Sequence, residues 1–421
     1  MRKRAVITGL GVVSPNGIGV PAFENAILQG KSGVRRISLF DPTGLPVTIA
    51  GEVSGFDEMA WISEHERKHV SRAVPLAFAA ATEALADSGW NPEAMSLEQK
   101  RDTAVILGTG GGAQDFSEGQ YRLWLTGNVK QASIFVIPSG TMGTMSSEIS
   151  MRFGFRGFSH VVTCGCTSST DALGYAVDKI RAGSIPRVLV GGVDSPIALG
   201  IMKGFLLMRI LSTAFDREPE KASRPFSLDR DGFVLAEGAW MLMLEEYETA
   251  KARGARIYAE IVGYGSTCEA FHRVRLQECG EEPARAMQLA MRDAAIGPEQ
   301  VEYVNLHGTS TELNDRIETR AIKLAMGEQR AHAIPMSALK SQIGHPQGAC
   351  GAAGVIATIL AMKNSQLPPT INLELPDPEC DLDYVPEPGR EHAIEYALCN
   401  CIAFGSKNSA LVLKNGFAGG E

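Results

Sequence analysis

One cysteine lies where a strand gives way to a helix. In VVTCGCTSSTDALGYA the apolar run ends at Val161–Thr163, and Thr167–Ser169 open a helical pattern, which puts Cys166 at the helix start. Free backbone N–H groups and the positive end of the helix dipole meet there; they favour thiolate over thiol and can hold an oxyanion. This is the strand–turn–helix setting of an activated nucleophile. The plain alternative is a small buried cysteine. Cys164 competes, but it sits on the strand side of the turn and is expected to point away from the helix mouth.

Two histidines could partner that sulfur. His307 follows an apolar run in VNLHGTST, and Gly308, Thr309, Ser310 and Thr311 after it form a polar loop, with Asp315 and Glu318 on the expected next helix. His345 lies in ALKSQIGHPQGACGAAG, five residues after Lys340. A histidine at a glycine-rich helix start can be held neutral and donating. Taken singly, each histidine reads equally as a structural group. Phe404 beside Gly405 in CNCIAFGSKN could be a mobile lid or a core phenylalanine. Cys399 and Cys401 alternate along a strand and face opposite sides. C-x-C spacing without CxxC is weak zinc evidence, so no metal is expected. GLGVVS (9–14) lacks the third glycine and the acidic residue of a dinucleotide fingerprint, and GTGGGAQ (108–114) lacks the Lys-Ser/Thr end of a P-loop.

Short apolar runs alternate with alanine-rich helical runs. Strands are expected at 4–13, 103–110, 186–194, 239–247, 255–265 and 301–311, with a strand pair over 396–415; helices are expected at 71–88, 168–183, 281–295 and 348–364. The strands are near-continuously apolar, as in a sheet covered on both faces, which predicts an α/β chain with a mostly parallel core. The pattern repeats, giving two lobes of like grammar split near residue 255: an N-terminal half, 1–255, with the nucleophile and a C-terminal half, 256–421, with both histidines. The proline- and acid-rich stretch 367–389 reads as an extended surface loop.

The 421 residues are 44% hydrophobic and 21% charged, as in a globular protein. The net charge of −8 argues against a nucleic-acid binder. Eight cysteines are too few for a disulfide scaffold and point to a reducing, cytoplasmic setting. The N-terminal MRKRAVITGLGVV is too short and glycine-broken for a signal peptide and reads as a buried strand, and no apolar run approaches the ~20 residues of a membrane span.

One cysteine at a helix start with two histidines on later loops resembles the β-ketoacyl synthases. The likeness runs nearly the full length: TGLGVVSPNGIG, GCTSS, ASRPFSLDRDGFVLAEGA, YVNLHGTST, LKSQIGHPQGACGAAG and PPTINLELPDPECDLDYVP occur in that family's order. GCTSSTDALGYA, VDSPIALGIMKGF, LNDRIETRAIK and PDPECDLDYVP are similar to the ketosynthase α subunit of type II polyketide synthases; the fatty-acid elongation synthases are near relatives. The resemblance implies a thiolase-type fold, two similar halves in a five-layered α-β-α-β-α core. It implies a decarboxylative condensation in which Cys166 carries the acyl chain while His307 and His345 polarise a malonyl thioester. It further implies Lys340 and Glu318 as a supporting pair with Asp315 nearby, the N–H groups of Cys166 and Phe404 as oxyanion hole, Phe233 and Phe404 as gates, and Thr309 and Thr311 against phosphopantetheine. No cofactor is implied beyond the phosphopantetheine of an acyl carrier protein. Partners would be that carrier protein and a chain-length-factor homologue in a heterodimer, or otherwise a second copy. Arg67, Lys68, Arg72, Lys130 and Arg209 are the candidate docking groups for the acidic carrier; the alternative is an ordinary solvated face.

Three departures stand out. The family's GFGGxN turn reads AFGSKN, with Ala403, Ser406 and Lys407. The run FHRVRLQECG (271–280) brings Arg273 and Arg275 toward the expected pantetheine entrance. Gly111 stands where fatty-acid synthases carry a bulky aliphatic residue in the acyl pocket, which predicts a longer chain, a polyketide or polyene intermediate. Outside this class, a non-catalytic scaffold subunit is disfavoured by Cys166, His307 and His345. A thiolase is disfavoured by the missing second cysteine in the AFGSKN turn.

Overall fold

A computed structural model describes residues 2–417. The first half supplies strands β1 (Ala5–Ser14), β2 (Thr103–Gly108), β3 (Ser159–Val162), β4 (Arg187–Asp194) and β5 (Gly238–Glu246). The second half supplies β6 (Ala259–Cys268), β7 (Tyr303–Asn305), β8 (Met336–Ser337), β9 (Tyr396–Ala403) and β10 (Lys407–Asn415). The first half orders its strands β3-β2-β4-β5-β1 and the second β8-β7-β9-β10-β6, so the halves repeat one topology. β1 pairs with β6 at Val6–Glu260 and Ile7–Ala259, which joins them into one 11-stranded sheet that includes a short strand at Gly17–Ile18.

The layers follow from what each helix buries. α1 (Ala73–Asp87) packs Leu76, Ala80 and Ala84 on Leu107, Leu189 and Met241, the outer face of the first half. α2 (Ser168–Arg181) and α3 (Cys350–Asn364) lie together between the halves, with Leu173, Val177, Ile356 and Leu360 fully buried. On the far face Met287 and Ala290 of Glu281–Asp293 and Ile322 of Glu312–Met326 cover Val304, Leu398 and Val412. The result is the five-layered α-β-α-β-α arrangement implied by the resemblance.

The Gly-x-Gly of β1 has a packing cause. A Cβ on Gly9 or Gly11 would lie 2.2 Å or 1.9 Å from the carbonyl oxygens of Ala84 and Ala80 in α1. Gly263 and Gly265 of β6 meet Ala290 and Ala286 of the opposite outer helix in the same way, at 2.0 and 2.2 Å. Each half thus opens with two glycines that let its outer helix seat directly on its first strand.

The expected mostly parallel core is not what forms. β3, β2 and β4 are parallel, as are β8, β7 and β9, but β4–β5–β1 and β9–β10–β6 run antiparallel, as does the β1–β6 seam. Continuous apolarity reports burial on both faces and says nothing of direction. The strand expected over 301–311 is only Tyr303–Asn305, because the chain turns there into the loop that carries His307. No helix among the described residues is long and apolar enough to cross a membrane.

Candidate active site

Cys166, His307 and His345 converge from three loops at the seam between the halves. The chain leaves β3, turns at Gly165 (φ 71°) and enters α2, placing Cys166 just before the helix. The loop after β7 carries His307. The segment before α3 carries His345, whose N–H donates to Val234 O at 2.7 Å and whose carbonyl accepts from Ala236 N at 3.0 Å. Cys166 Sγ lies 3.2 Å from His345 Nε2, and the two imidazole centroids are 5.4 Å apart. Phe233 stacks edge-on against the His345 ring at 5.2 Å.

The electrostatics place both rings in their neutral form. Burial, with the Lys340 ammonium and His345, pushes His307 well below its ordinary value; burial and Lys340 do the same to His345. Lys340 Nζ donates to His307 O at 2.6 Å and lies 3.4 Å from Nδ1, which assigns the ring proton to Nε2. The thiol departs from expectation. Burial and the adjoining Cys350 push Cys166 up to about 12, against the Lys340 charge and the Phe404 N–H. Desolvation outweighs the helix mouth, so Cys166 rests as a thiol with its proton facing His345. The backbone N–H of Phe404 is directed toward Cys166, close enough to lower its pKa.

Lys340 and Glu318 bracket His307 from two sides. Glu318, fully buried, accepts the N–H groups of His307 and Gly308 at 2.7 Å each and the Asn400 amide at 2.7 Å; burial pushes its carboxyl up to about 7. Asp315 accepts from Thr309 N (3.1 Å) and Phe226 N (2.9 Å) and pairs with Arg230 at 3.3 Å. The loop bearing His307 is therefore held at successive amides by two buried carboxylates.

A cavity of about 400 Å³ opens onto this cluster. Cys166, both histidines, Phe233 and Phe404 line it, and Thr309 and Thr311, with hydroxyls 2.9 Å apart, stand on its wall. His272, Arg275 and Leu276 border it, so the 271–280 run reaches the cavity. Exposed Arg209 lies between Met208 and Ile210, two of its lining residues. Arg67 and Arg72 border a separate cleft with Asp115 and Ser195; Lys68 and Lys130 are exposed. Gly111 is absent from the lining of the main cavity. A Cβ there would lie 3.2 Å from Gln114 Oε1 and 3.5 Å from Gln347 Oε1, so its surroundings are polar.

Several contributors escaped the sequence. The thiols of Cys350 and Cys401 lie 3.2 and 3.1 Å from the carbonyl oxygen of Cys166 and 3.6 Å from each other. Cys401 Sγ also lies 3.5 Å from His307 Nδ1. Their membership follows from how α3 and β9 cross, which spacing does not encode. Donor atoms of Cys166, His307 and His345, and of His307, Cys350 and Cys401, each fall within 4.8 Å of one another, a set that suits a thiophilic cation. The Lys340 ammonium beside His307 opposes a cation there. Ser406, with φ 67°, accepts from Phe271 N (3.3 Å) and His272 N (3.2 Å) and donates to His272 O (3.0 Å). Two departures noted in the sequence, AFGSKN and 271–280, are thus one joined structure. Cys164 turns from the imidazoles to Asp171.

The family model "Beta-ketoacyl synthase, N-terminal domain" matches residues 2–250, and "Beta-ketoacyl synthase, C-terminal domain" matches 258–374. A putative polyketide beta-ketoacyl synthase 1 from Streptomyces cyaneus is 41% identical over 421 residues, with 98% of each chain covered. A 3-oxoacyl-[acyl-carrier-protein] synthase 2 from Rhizobium meliloti is 39% identical over 420 residues, covering 98% of this chain and 99% of its own. Among solved structures, a type II PKS acyl-carrier protein in complex with its ketosynthase bound to the hexaketide (AntDE:AntF) aligns at TM-score 0.89 and 33% identity, covering 99% of this chain and 100% of the other. The ishigamide ketosynthase/chain length factor aligns at TM-score 0.90 and 32% identity, with the same coverage.

Proposed function

Because this chain belongs to the β-ketoacyl synthase family, we propose that it is the active α subunit of a type II polyketide synthase, a cytoplasmic enzyme that joins a malonyl unit to an acyl chain held on Cys166. The single observation that carries the site assignment is the 3.2 Å approach of Cys166 Sγ to His345 Nε2, beside a second neutral imidazole in the same cavity.

The steps use this chain's own groups. Cys166 attacks the thioester carbonyl of an acyl carrier protein and passes its proton to His345 Nε2. The N–H groups of Cys166 and Phe404 hold the oxyanion, and the pantetheine thiol leaves with a proton. Malonyl carrier protein then enters past Thr309 and Thr311. His307 donates Nε2–H to its thioester carbonyl with the neutral His345 ring alongside, carbon dioxide departs, and the enolate carbon attacks the acyl carbonyl on Cys166. The C–S bond breaks, and the departing thiolate takes its proton from water in the cavity. Neutral rings suit this work, because donors stabilise an enolate without protonating it early.

Exposed apolar side chains support a partner subunit. Leu125 is 88% and Leu207 86% exposed, and β3 is a half-buried edge strand that, among the described residues, pairs only on its β2 side. A chain-length-factor homologue is the proposed occupant, and the exposed cations Arg275, on the cavity lining, and Arg209, beside it, are the proposed contacts for an acidic carrier protein. The test is to co-express the chain with such a homologue and a carrier protein, then weigh what stays on Cys166 and what is released. Chains of several malonyl units support the reading. Fully reduced elongation of acyl chains without any partner supports the alternative, a 3-oxoacyl carrier-protein synthase of fatty-acid elongation, which the relative from Rhizobium meliloti keeps in view.

A further inference from the structure

Asp194 ends β4 at the seam, is fully buried, and plays no part in the steps above. Its Oδ1 accepts the Thr109 hydroxyl at 2.8 Å and Gly111 N–H at 2.9 Å; Oδ2 accepts Gly110 N–H at 2.8 Å. Gly348, three residues past His345, seats directly on the loop these bonds hold: a Cβ on it would lie 2.3 Å from Gly110 N and 2.5 Å from the Thr109 carbonyl carbon. Two routes leave this group. One runs from Thr109, whose carbonyl accepts the Ser168 hydroxyl at 3.0 Å; the Ser168 oxygen in turn accepts Cys164 N–H at 2.8 Å, inside the nucleophile turn. The other runs from Gly348 through Gln347, held at φ 44°, to His345. The loop that Asp194 holds thus stands between the turn that carries the sulfur and the segment that carries its imidazole partner. A buried carboxylate with three donors resists displacement, because each donor left unpaired would carry its full desolvation cost.

We propose that Asp194 is a positioning residue that sets the Cys166–His345 approach by fixing the 109–111 loop, on which Gly348 seats. The inference rests on Cys166 and His345 being the reacting pair. Asp194 also sets the charge felt by the sulfur, since its anion opposes thiolate formation at Cys166. Removing that anion while keeping the shape therefore moves two readouts in opposite directions. Loosened geometry slows condensation, whereas the lost negative charge favours the thiolate.

The test is Asp194→Asn in the full chain with its carrier protein and partner. The amide is isosteric, but its nitrogen cannot accept a glycine N–H. Condensation should fall about 10- to 100-fold, as expected for displacement of a reacting group by about 1 Å. Peptide-resolved iodoacetamide labelling of Cys166 should rise, with the melting transition still cooperative and other buried cysteines unlabelled. Thr109→Val removes the hydroxyl that donates to Asp194 and accepts Gly112 N–H while leaving the Thr109 carbonyl on Ser168, and should cost about 10-fold; Thr109→Ser should restore activity, and the double variant should fall no further than Asp194→Asn alone. Wild-type condensation in folded Asp194→Asn overturns the proposal, as do additive losses in the double variant. If Asp194→Asn does not fold, Thr109→Val decides, and full activity there overturns it. A wild-type enzyme that never condenses malonyl units defeats the functional reading instead.

Discussion

The two halves share a strand order and a way of holding the loop after their second parallel strand, yet they do different chemistry. In the C-terminal half Glu318 takes the N–H groups of His307 and Gly308, and the loop presents an imidazole. In the N-terminal half Asp194 takes those of Gly110 and Gly111, and the equivalent loop presents only glycine. After the third strand the roles reverse: the first half presents the thiol of Cys166 before α2, and the second presents His345 before α3. A duplicated scaffold thus offers four loop positions at one seam, and three of them carry reacting groups. The bare fourth packs against the segment after His345: a Cβ on Gly110 would lie 2.9 Å from Gly348 N.

The sharpest way to break this division is to disable one half at a time. Cys166→Ala should abolish acylation and condensation, while malonyl carrier protein still loses carbon dioxide through the intact histidines; mass spectrometry of the protein and assay of released carbon dioxide read the two steps. His307→Ala should do the reverse, keeping acylation of Cys166 and slowing decarboxylation about 10²–10³-fold, the usual cost of one charge-stabilising donor. Decarboxylation that dies with Cys166, or acylation that dies with His307, would mean the halves are not separable.

Smaller effects test the two carboxylate-held loops. Gly308 has φ 40°, and a Cβ there would lie 2.5 Å from Ala338 Cβ, so Gly308→Ala should cost about 1–3 kcal/mol by chemical denaturation. Gly111 has no such constraint, and Gly111→Ala should fold normally. Gly111→Ile should shorten the products, provided the chain runs past this loop; an unchanged length profile defeats that reading. Finally, Glu318 titrates near 7 when folded against an ordinary 4.5, so the folded state binds the extra proton between those values. Its contribution to stability is therefore lost as pH rises from about 4.5 to about 7. Glu318→Gln should flatten the melting temperature across that window, measured by differential scanning fluorimetry.

Much of the site was legible because its residues stand beside strong local signals. Cys166 sits at a strand–turn–helix junction, and His307 and His345 sit in polar or glycine-rich breaks after apolar runs. Cys350, Cys401 and Asp194 were not legible. Cys350 reads as one more small residue in a helix, Cys401 as one more strand position, and Asp194 as a strand end; each acts only through a neighbour far away in sequence. The two Gly-x-Gly pairs were visible, but their shared cause, a helix backbone pressed on the first strand of each half, needed the packing.

From its residues alone this chain determined which side chains can react and that a twofold α/β pattern must carry them, because both are written in local composition and periodicity. Tertiary structure decided strand direction, the ionisation of the groups and their distances apart. Apolar runs bury equally well either way, and a thiol at a helix mouth becomes thiolate or stays protonated according to how much water the rest of the fold excludes.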